Sequence, residues 1–175
     1  GNLERVHVRR FGLRRLKSQH DALGRPGSST QTTAGANGSG YTFSYQYYPI
    51  GLKTTGYPSG RSLTYSYDSA GRPTAVTGSM NGVQTNYATS LSYASHGAVQ
   101  QINLGNGKVE QTCFNTRLQP FGIRLGTGTA GNCGNGGSDL LNLSFTYGTT
   151  NNNGNVQSQT ITRSGVTWYQ NYYYT

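Results

Sequence analysis

Bulky and small polar residues take turns along much of this chain. Tyr41, Phe43, Tyr45 and Tyr47 alternate with Thr42, Ser44 and Gln46. Leu63, Tyr65 and Tyr67 repeat the pattern, as do Leu141, Leu143, Phe145 and Tyr147. A period of two puts the rings on one face of a pleated strand and the small polar side chains on the other. After each such run comes a turn-like phrase with a glycine, which supplies a backbone conformation that a Cβ opposes. A second strand follows, as in Pro73–Thr77 or Val99–Asn103, and then a second turn signal. That closing signal reads Tyr57-Pro58-Ser59-Gly60-Arg61, Gly78-Ser79-Met80-Asn81-Gly82 or Leu104-Gly105-Asn106-Gly107-Lys108. Asn-Gly and Pro-x-Gly between alternating runs are hairpin signals. The pattern therefore predicts an all-β chain of strand, turn, strand, turn, without helices.

The turn phrase recurs. Its fullest copy is Tyr67-Asp68-Ser69-Ala70-Gly71-Arg72, and His20-Asp21-Ala22-Leu23-Gly24-Arg25 is a close one. Tyr47-Tyr48-Pro49-Ile50-Gly51-Leu52 and Tyr93-Ala94-Ser95-His96-Gly97-Ala98 keep the ring and the glycine. Phe114-Asn115-Thr116-Arg117-Leu118-Gln119 has lost the glycine, while Gly1-Asn2-Leu3 and Gly154-Asn155-Val156 resemble tails of further copies. The leading rings at 20, 47, 67, 93, 114 and 147 are 27, 20, 26, 21 and 33 residues apart. Such periods mark an array in which no single unit buries its own core. About six units fill residues 19–175. Residues 1–18 form a basic segment, with Leu3, Val6, Val8, Phe11, Leu13 and Leu16 favouring a degenerate strand. Segments 28–40 and 126–139, made largely of Gly, Ser, Thr and Asn, read as loop insertions.

Composition sharpens this picture. Of 175 residues only 11% are charged, while Tyr numbers 14 and Gly 26, which fits a polar, loop-rich β protein rather than a disordered chain. The net charge of +9 sits mainly in residues 1–17, which hold six of the fourteen cations against Glu4 alone. That placement suits a solvated terminal stretch, or else a basic arm on phosphates; it argues against nucleic acid as the partner of the chain as a whole. The chain opens on Gly and closes inside an aromatic run, as a fragment of a longer protein would. It contains no apolar run long enough for a membrane span.

The copies at 20–27-residue steps, led by Leu63-Thr64-Tyr65-Ser66-Tyr67-Asp68-Ser69-Ala70-Gly71-Arg72, resemble the YD repeat of bacterial RHS-repeat proteins. Relatives of that family include Tc-toxin shell components and animal teneurins. The resemblance implies antiparallel β-hairpin (meander) repeats forming part of a spiralling β-sheet shell, whose partners are neighbouring repeats of one longer chain. It further implies an enclosed C-terminal effector or toxin domain, and an extracellular or cell-surface location in a bacterium. The family's self-cleaving aspartyl segment has no counterpart here, since no Asp-Pro pair occurs. Tyr48, Ala94 and Asn115 stand where the motif has Asp, which suits a turn role better than a chemical one. Tyr67, Asp68, Gly71, Arg72, Asp21, Gly24, Arg25, Gly51 and Gly97 are accordingly expected to be structural turn residues.

Candidate chemistry is sparse. Glu4, Asp21, Asp68, Glu110 and Asp139 fall in different repeats and do not suggest the paired carboxylates of a glycosidase. His96 and Cys113 have nothing to orient them as a nucleophile and base. No His or Cys spacing matches a metal site, and Gly105-Asn106-Gly107-Lys108 lacks the Ser/Thr and helix of a phosphate loop. No catalytic residue, cofactor or metal is expected. Cys113 and Cys133 are spaced for a disulfide across the glycine-rich loop, with two free thiols as the alternative. Tyrosines beside Asn and Gln, Tyr172 and Tyr174 above all, suit stacking on a polysaccharide as well as they suit an aromatic core. Two functions follow: a structural wall segment without catalysis, or a carbohydrate- or surface-binding β module.

Overall fold

A computed structural model describes residues 5–9, 14–33, 40–127 and 139–174, and its regular structure is entirely β. The chain divides into two compact units, Gly1–Thr85 and Asn86–Thr175. The first holds β1 (Arg5–Arg9), β2 (Arg14–His20), β3 (Pro26–Thr32), β4 (Tyr41–Tyr48), β5 (Gly51–Gly56), β6 (Ser62–Tyr67) and β7 (Pro73–Met80). The second holds most of β8 (Val83–Tyr93), then β9 (Val99–Leu104), β10 (Val109–Phe114), β11 (Pro120–Gly126), β12 (Leu141–Thr146), β13 (Ser158–Arg163) and β14 (Val166–Asn171). Within each unit every strand pairs antiparallel with its neighbours in sequence. This is the expected meander.

Several elements differ from the sequence reading. Residues 28–32, expected in a loop, belong to β3: their Ser, Thr and Gln side chains carry no apolar alternation, yet the backbone pairs with β2 and β4. The turn expected over 78–82 is shorter, because β7 runs to Met80 and only Asn81 and Gly82, both at positive φ, make the reversal. The expected boundary at residue 18 falls inside β2. Gly126 ends β11 rather than opening a loop. Leu3, Phe11 and Leu13 lie outside the described residues, as do Gly1, Asn2 and most of 127–138.

Register sorts side chains by face. In the first unit Thr54 faces Thr64, and Thr64 faces Thr77, giving a row of hydroxyls. On the opposite face Thr55 pairs with Leu63, and Tyr65 with Val76. In the second unit Ile123, Leu143, Ile161 and Trp168 form an apolar row across four strands. The first three are half-buried and Trp168 is 49% exposed. Among the described residues only Ala88, Cys113 and Tyr147 are buried apolar side chains, and none falls below 2% exposure. Packing is therefore carried by strand neighbours and not by a closed core.

Candidate functional site

Among the described residues one turn is built six times. In residues 21–25, 57–61, 68–72, 94–98, 104–108 and 115–119, the first N–H donates to the fifth carbonyl at 2.8–2.9 Å. The fourth N–H donates back to the first carbonyl at 2.9–3.0 Å. This is a three-residue hairpin loop whose fourth position must adopt positive φ. Gly24, Gly71 and Gly97 occupy that position with φ of 77°, 77° and 89°. Leu118 holds the same place at φ 63°, so the copy that lost its glycine kept its turn. Gly51 is the exception among the expected turn glycines. It opens β5 without a positive φ, and a Cβ there would sit 2.9 Å from the Tyr67 hydroxyl. Its small size serves close approach by Tyr67 rather than a turn.

Side chains cap these loops in matched pairs. Asp68 Oδ1 accepts from the N–H groups of Ala70 and Arg72, both at 2.9 Å, and Oδ2 accepts from Arg72 Nε at 2.8 Å. Asp21 does the same with Leu23 and Arg25, where the ion pair measures 2.7 Å. The backbone N–H of the arginine, with its guanidinium, holds each carboxyl below its ordinary value. In the third copy Asn115 Oδ1 takes the N–H groups of Arg117 and Gln119, while Asn115 Nδ2 donates to Gln119 Oε1 at 2.9 Å. An uncharged pair has replaced an ion pair with the geometry kept. Ala94 and Ala98 have lost both partners together, leaving the backbone bonds alone.

The leading ring of the phrase reaches back one repeat. Tyr67 Oη donates to the carbonyl of Leu52 at 2.8 Å, and Tyr47 Oη to that of Pro26 at 2.9 Å. Tyr147 Oη donates to Pro120 at 2.7 Å; Tyr174, which heads no copy of the phrase, makes a similar bond to Val156 at 2.9 Å. Each acceptor lies at the start of the strand that leaves the preceding turn, or just before it. Arg25 adds a second tie, with its guanidinium 4.5 Å from the Tyr47 ring and Nη1 donating to the Tyr48 carbonyl. Arg117 Nη1 donates likewise to the Asn152 carbonyl, and Gln119 and Asn152 exchange carboxamide hydrogen bonds. Burial raises the Tyr147 hydroxyl above its ordinary pKa, and raises that of Tyr47 too.

The remaining sequence candidates stand apart from one another. His96 packs edge-on against Phe114 at 4.6 Å. Cys113 is disulfide-bonded and 3% exposed, so no thiol is there to pair with His96. Cys133 lies outside the described residues. Tyr172 Oη sits between Gln159 and Gln170 at 2.9 and 3.0 Å. With Tyr174 tied to Val156, both rings nominated for stacking have their hydroxyls engaged. Sequence reasoning missed the best-buried ion pair, Arg124 to Asp139 at 2.7 Å, because 15 residues separate its members. Among the described residues no cluster of His, Cys, Asp or Glu is arranged for a metal, and no helix is long and apolar enough to cross a membrane.

A meander whose consecutive turns and rings interlock is a repeat scaffold, and the comparisons define which kind. Residues 49–79 match the model of the RHS repeat. Over that stretch the chain is similar to an RHS repeat. A search of curated protein sequences gives no match. Among solved structures it is similar to TcdB2-TccC3, with a TM-score of 0.70 and 16% identity over 90% of this chain. The same complex without its hypervariable C-terminal region gives 0.71 and 19% over 89%, and the Photorhabdus luminescens Tc holotoxin pore gives 0.68 and 18% over 87%. This chain covers 9%, 8% and 8% of those chains, respectively, so the likeness is one of fold over a short stretch of each.

Proposed function

We propose that this chain is a length of wall in a bacterial exported or surface RHS/YD-repeat shell. The wall encloses or presents a C-terminal effector or toxin domain and carries out no catalysis itself. One observation carries the reading. Within each unit, and among the described residues, strands touch only their sequence neighbours, and the Ile123–Leu143–Ile161–Trp168 row stays half-open to solvent. An apolar sheet face is stable when something covers it. In a wall, further repeats or an enclosed domain do so. The turn ties add the mechanical element, since the repeats led by Tyr47, Tyr67 and Tyr147 grip an earlier strand through a tyrosine hydroxyl. Disulfide pairing of Cys113 with Cys133 would suit an oxidising, extracellular setting.

The test is to extend the coding frame in both directions and express the full-length product. Further YD phrases leading into an unrelated C-terminal domain, with that domain resisting protease until the repeats are cut, is the expected result. A C-terminal domain digested as fast inside the full-length protein as when free would overturn enclosure.

A further inference from the structure

Between the turn at 115–119 and the connection from β12 to β13 lies a pocket of about 650 Å³, lined by residues 115–117 and 148–153. Its walls are firmly built. Gly148 starts the connection at φ 82°, and a Cβ on it would lie 2.6 Å from Gln157 Nε2. Asn152 locks the connection to the turn. Its Oδ1 accepts from the Gly154 N–H at 3.0 Å and from Gln119 Nε2 at 2.9 Å, and its Nδ2 donates to Gln119 Oε1 at 2.8 Å. Its carbonyl accepts from Arg117 Nη1 at 2.7 Å. Both walls belong to the second unit and neither is β14, so the pocket does not depend on what adjoins the last strand.

The arginine sets this turn apart. In the Asp21 and Asp68 copies an arginine at position five is neutralised by the carboxylate of its own turn, at 2.7 and 2.8 Å. Here Asn115 and Gln119 make a neutral pair, and the arginine stands at position three. Among the described residues no carboxylate pairs with it. Glu110 and Asp139, the described acids of this unit, stand toward the opposite ends of β10 and β12. Arg117 spends one N–H on Asn152, and the rest of its guanidinium fork stays available. Beside it are the hydroxyls of Thr116, Thr149 and Thr150 and the Asn151 carboxamide, all on exposed residues.

We infer that this pocket binds a tetrahedral oxyanion, the phosphate group of a small soluble phosphomonoester. A guanidinium presents paired N–H groups that match two phosphate oxygens, and such charge-assisted bonds are about twice as strong as neutral ones. The threonine hydroxyls and the Asn151 amide donate to the remaining oxygens. The lining has no carboxylate to repel the anion and no aromatic ring to hold an uncharged ligand. A carboxylate ligand has only two oxygens, which the fork alone satisfies, so the hydroxyls favour phosphate. The volume leaves room for the group that carries the phosphate. Such a site neither needs the wall reading nor follows from it.

The experiment follows backbone amide resonances of the whole chain during titration with inorganic phosphate, glycerol phosphate and acetate, alongside co-sedimentation with phosphatidic acid vesicles. Saturable shifts confined to the two walls are expected with both phosphates, and acetate should bind at least tenfold more weakly. Arg117→Gln should weaken phosphate binding at least tenfold. Because that change also removes the bond to Asn152, Thr150→Val serves as the second variant. It should weaken binding about threefold and leave the melting temperature unchanged, since Thr150 is exposed. Lys108→Gln removes the same charge beyond the far end of β10 and should bind within twofold of the parent. Any of five outcomes overturns the proposal: no saturable shift with either phosphate, acetate binding as tightly, undiminished binding by both pocket variants, equal weakening by Lys108→Gln, or capture by vesicles without binding of free glycerol phosphate.

Discussion

Replacing Tyr147 by phenylalanine isolates the hydroxyl that ties one repeat to the last. The ring is 9% exposed, and its Oη donates to the Pro120 carbonyl at 2.7 Å across 27 residues. A neutral hydrogen bond contributes about 1 kcal/mol net, and a carbonyl left dry without its donor costs about 1–3 kcal/mol. Tyr147→Phe should therefore cost about 1–2 kcal/mol, while Tyr147→Ala, which also empties the ring site, should cost about 3 kcal/mol or more. The control is Tyr47→Phe. Its bond to Pro26 is longer, at 2.9 Å, and exposed, so water takes over and the loss falls to about 0.5 kcal/mol. Urea unfolding followed by circular dichroism reads these values as midpoint shifts at constant slope. The pH dependence supplies a second signature. Burial raises the folded-state pKa of Tyr147, so its contribution is complete below the ordinary tyrosine value near 10 and is lost as pH rises through the raised value. Tyr147→Phe should flatten that part of the alkaline limb. A Tyr147→Phe variant within a few tenths of a kcal/mol of the parent, alongside a costly Tyr147→Ala, would show that the ring packs and the hydroxyl ties nothing.

Three further variants probe the turns. Leu118→Gly should stabilise by up to about 1 kcal/mol in the same urea assay, since φ 63° strains a branched side chain that is already 51% exposed; a destabilised variant would mean the leucine makes compensating contacts. Gly51→Ala should cost about 1–2 kcal/mol by displacing the Tyr67 hydroxyl, and a double-mutant cycle with Tyr67→Phe should give a non-additive sum; additivity would place the clash elsewhere. The Asp68 and Asp21 carboxyls sit below their ordinary value, so their contribution is complete above that value and is lost as pH falls through the lower folded one. Asp68→Asn with Arg72→Gln, which copies Asn115 and Gln119, should keep the neutral-pH stability and shed the Asp68 share of that acid loss; unfolding of this double variant at pH 7 would refute the equivalence of the two pairs.

Alternation and glycine-bearing turns made the meander legible, because both are local: one needs neighbours two apart and the other a single φ. β3 escaped because Ser28, Ser29 and Thr30 carry no apolar face, and their strand exists through pairing on both sides. Gly51 was misplaced because its conformation is ordinary, and the constraint comes from Tyr67, 16 residues on. The ties had the same character. A tyrosine at the head of several phrases is visible in the sequence, but the carbonyls reached by Tyr47, Tyr67 and Tyr147 lie 15–27 residues back. One signal was available and not used. Positions one and five of the turn change together, from Asp and Arg to Asn and Gln to Ala and Ala, as expected of side chains in contact.

The ties also decide how the array should fail. In a chain of repeats, stability is the sum of what each unit supplies and what each junction adds. Here the junction is narrow: one hydroxyl on one carbonyl, an arginine on a neighbouring turn, and the ladder between strands. The His20 and Phe114 copies lead with a ring that lacks a phenolic hydroxyl, so they cannot make this tie. Phe114 instead meets His96 edge-on, a contact that carries no backbone bond to the earlier repeat. Junctions led by these rings are held by strand pairing and ring packing, and those led by Tyr47, Tyr67 and Tyr147 have a directional bond as well. Amide exchange should follow that division. The amide N–H groups of a tied turn exchange only when the tyrosine lets go, whereas an untied turn can fray on its own.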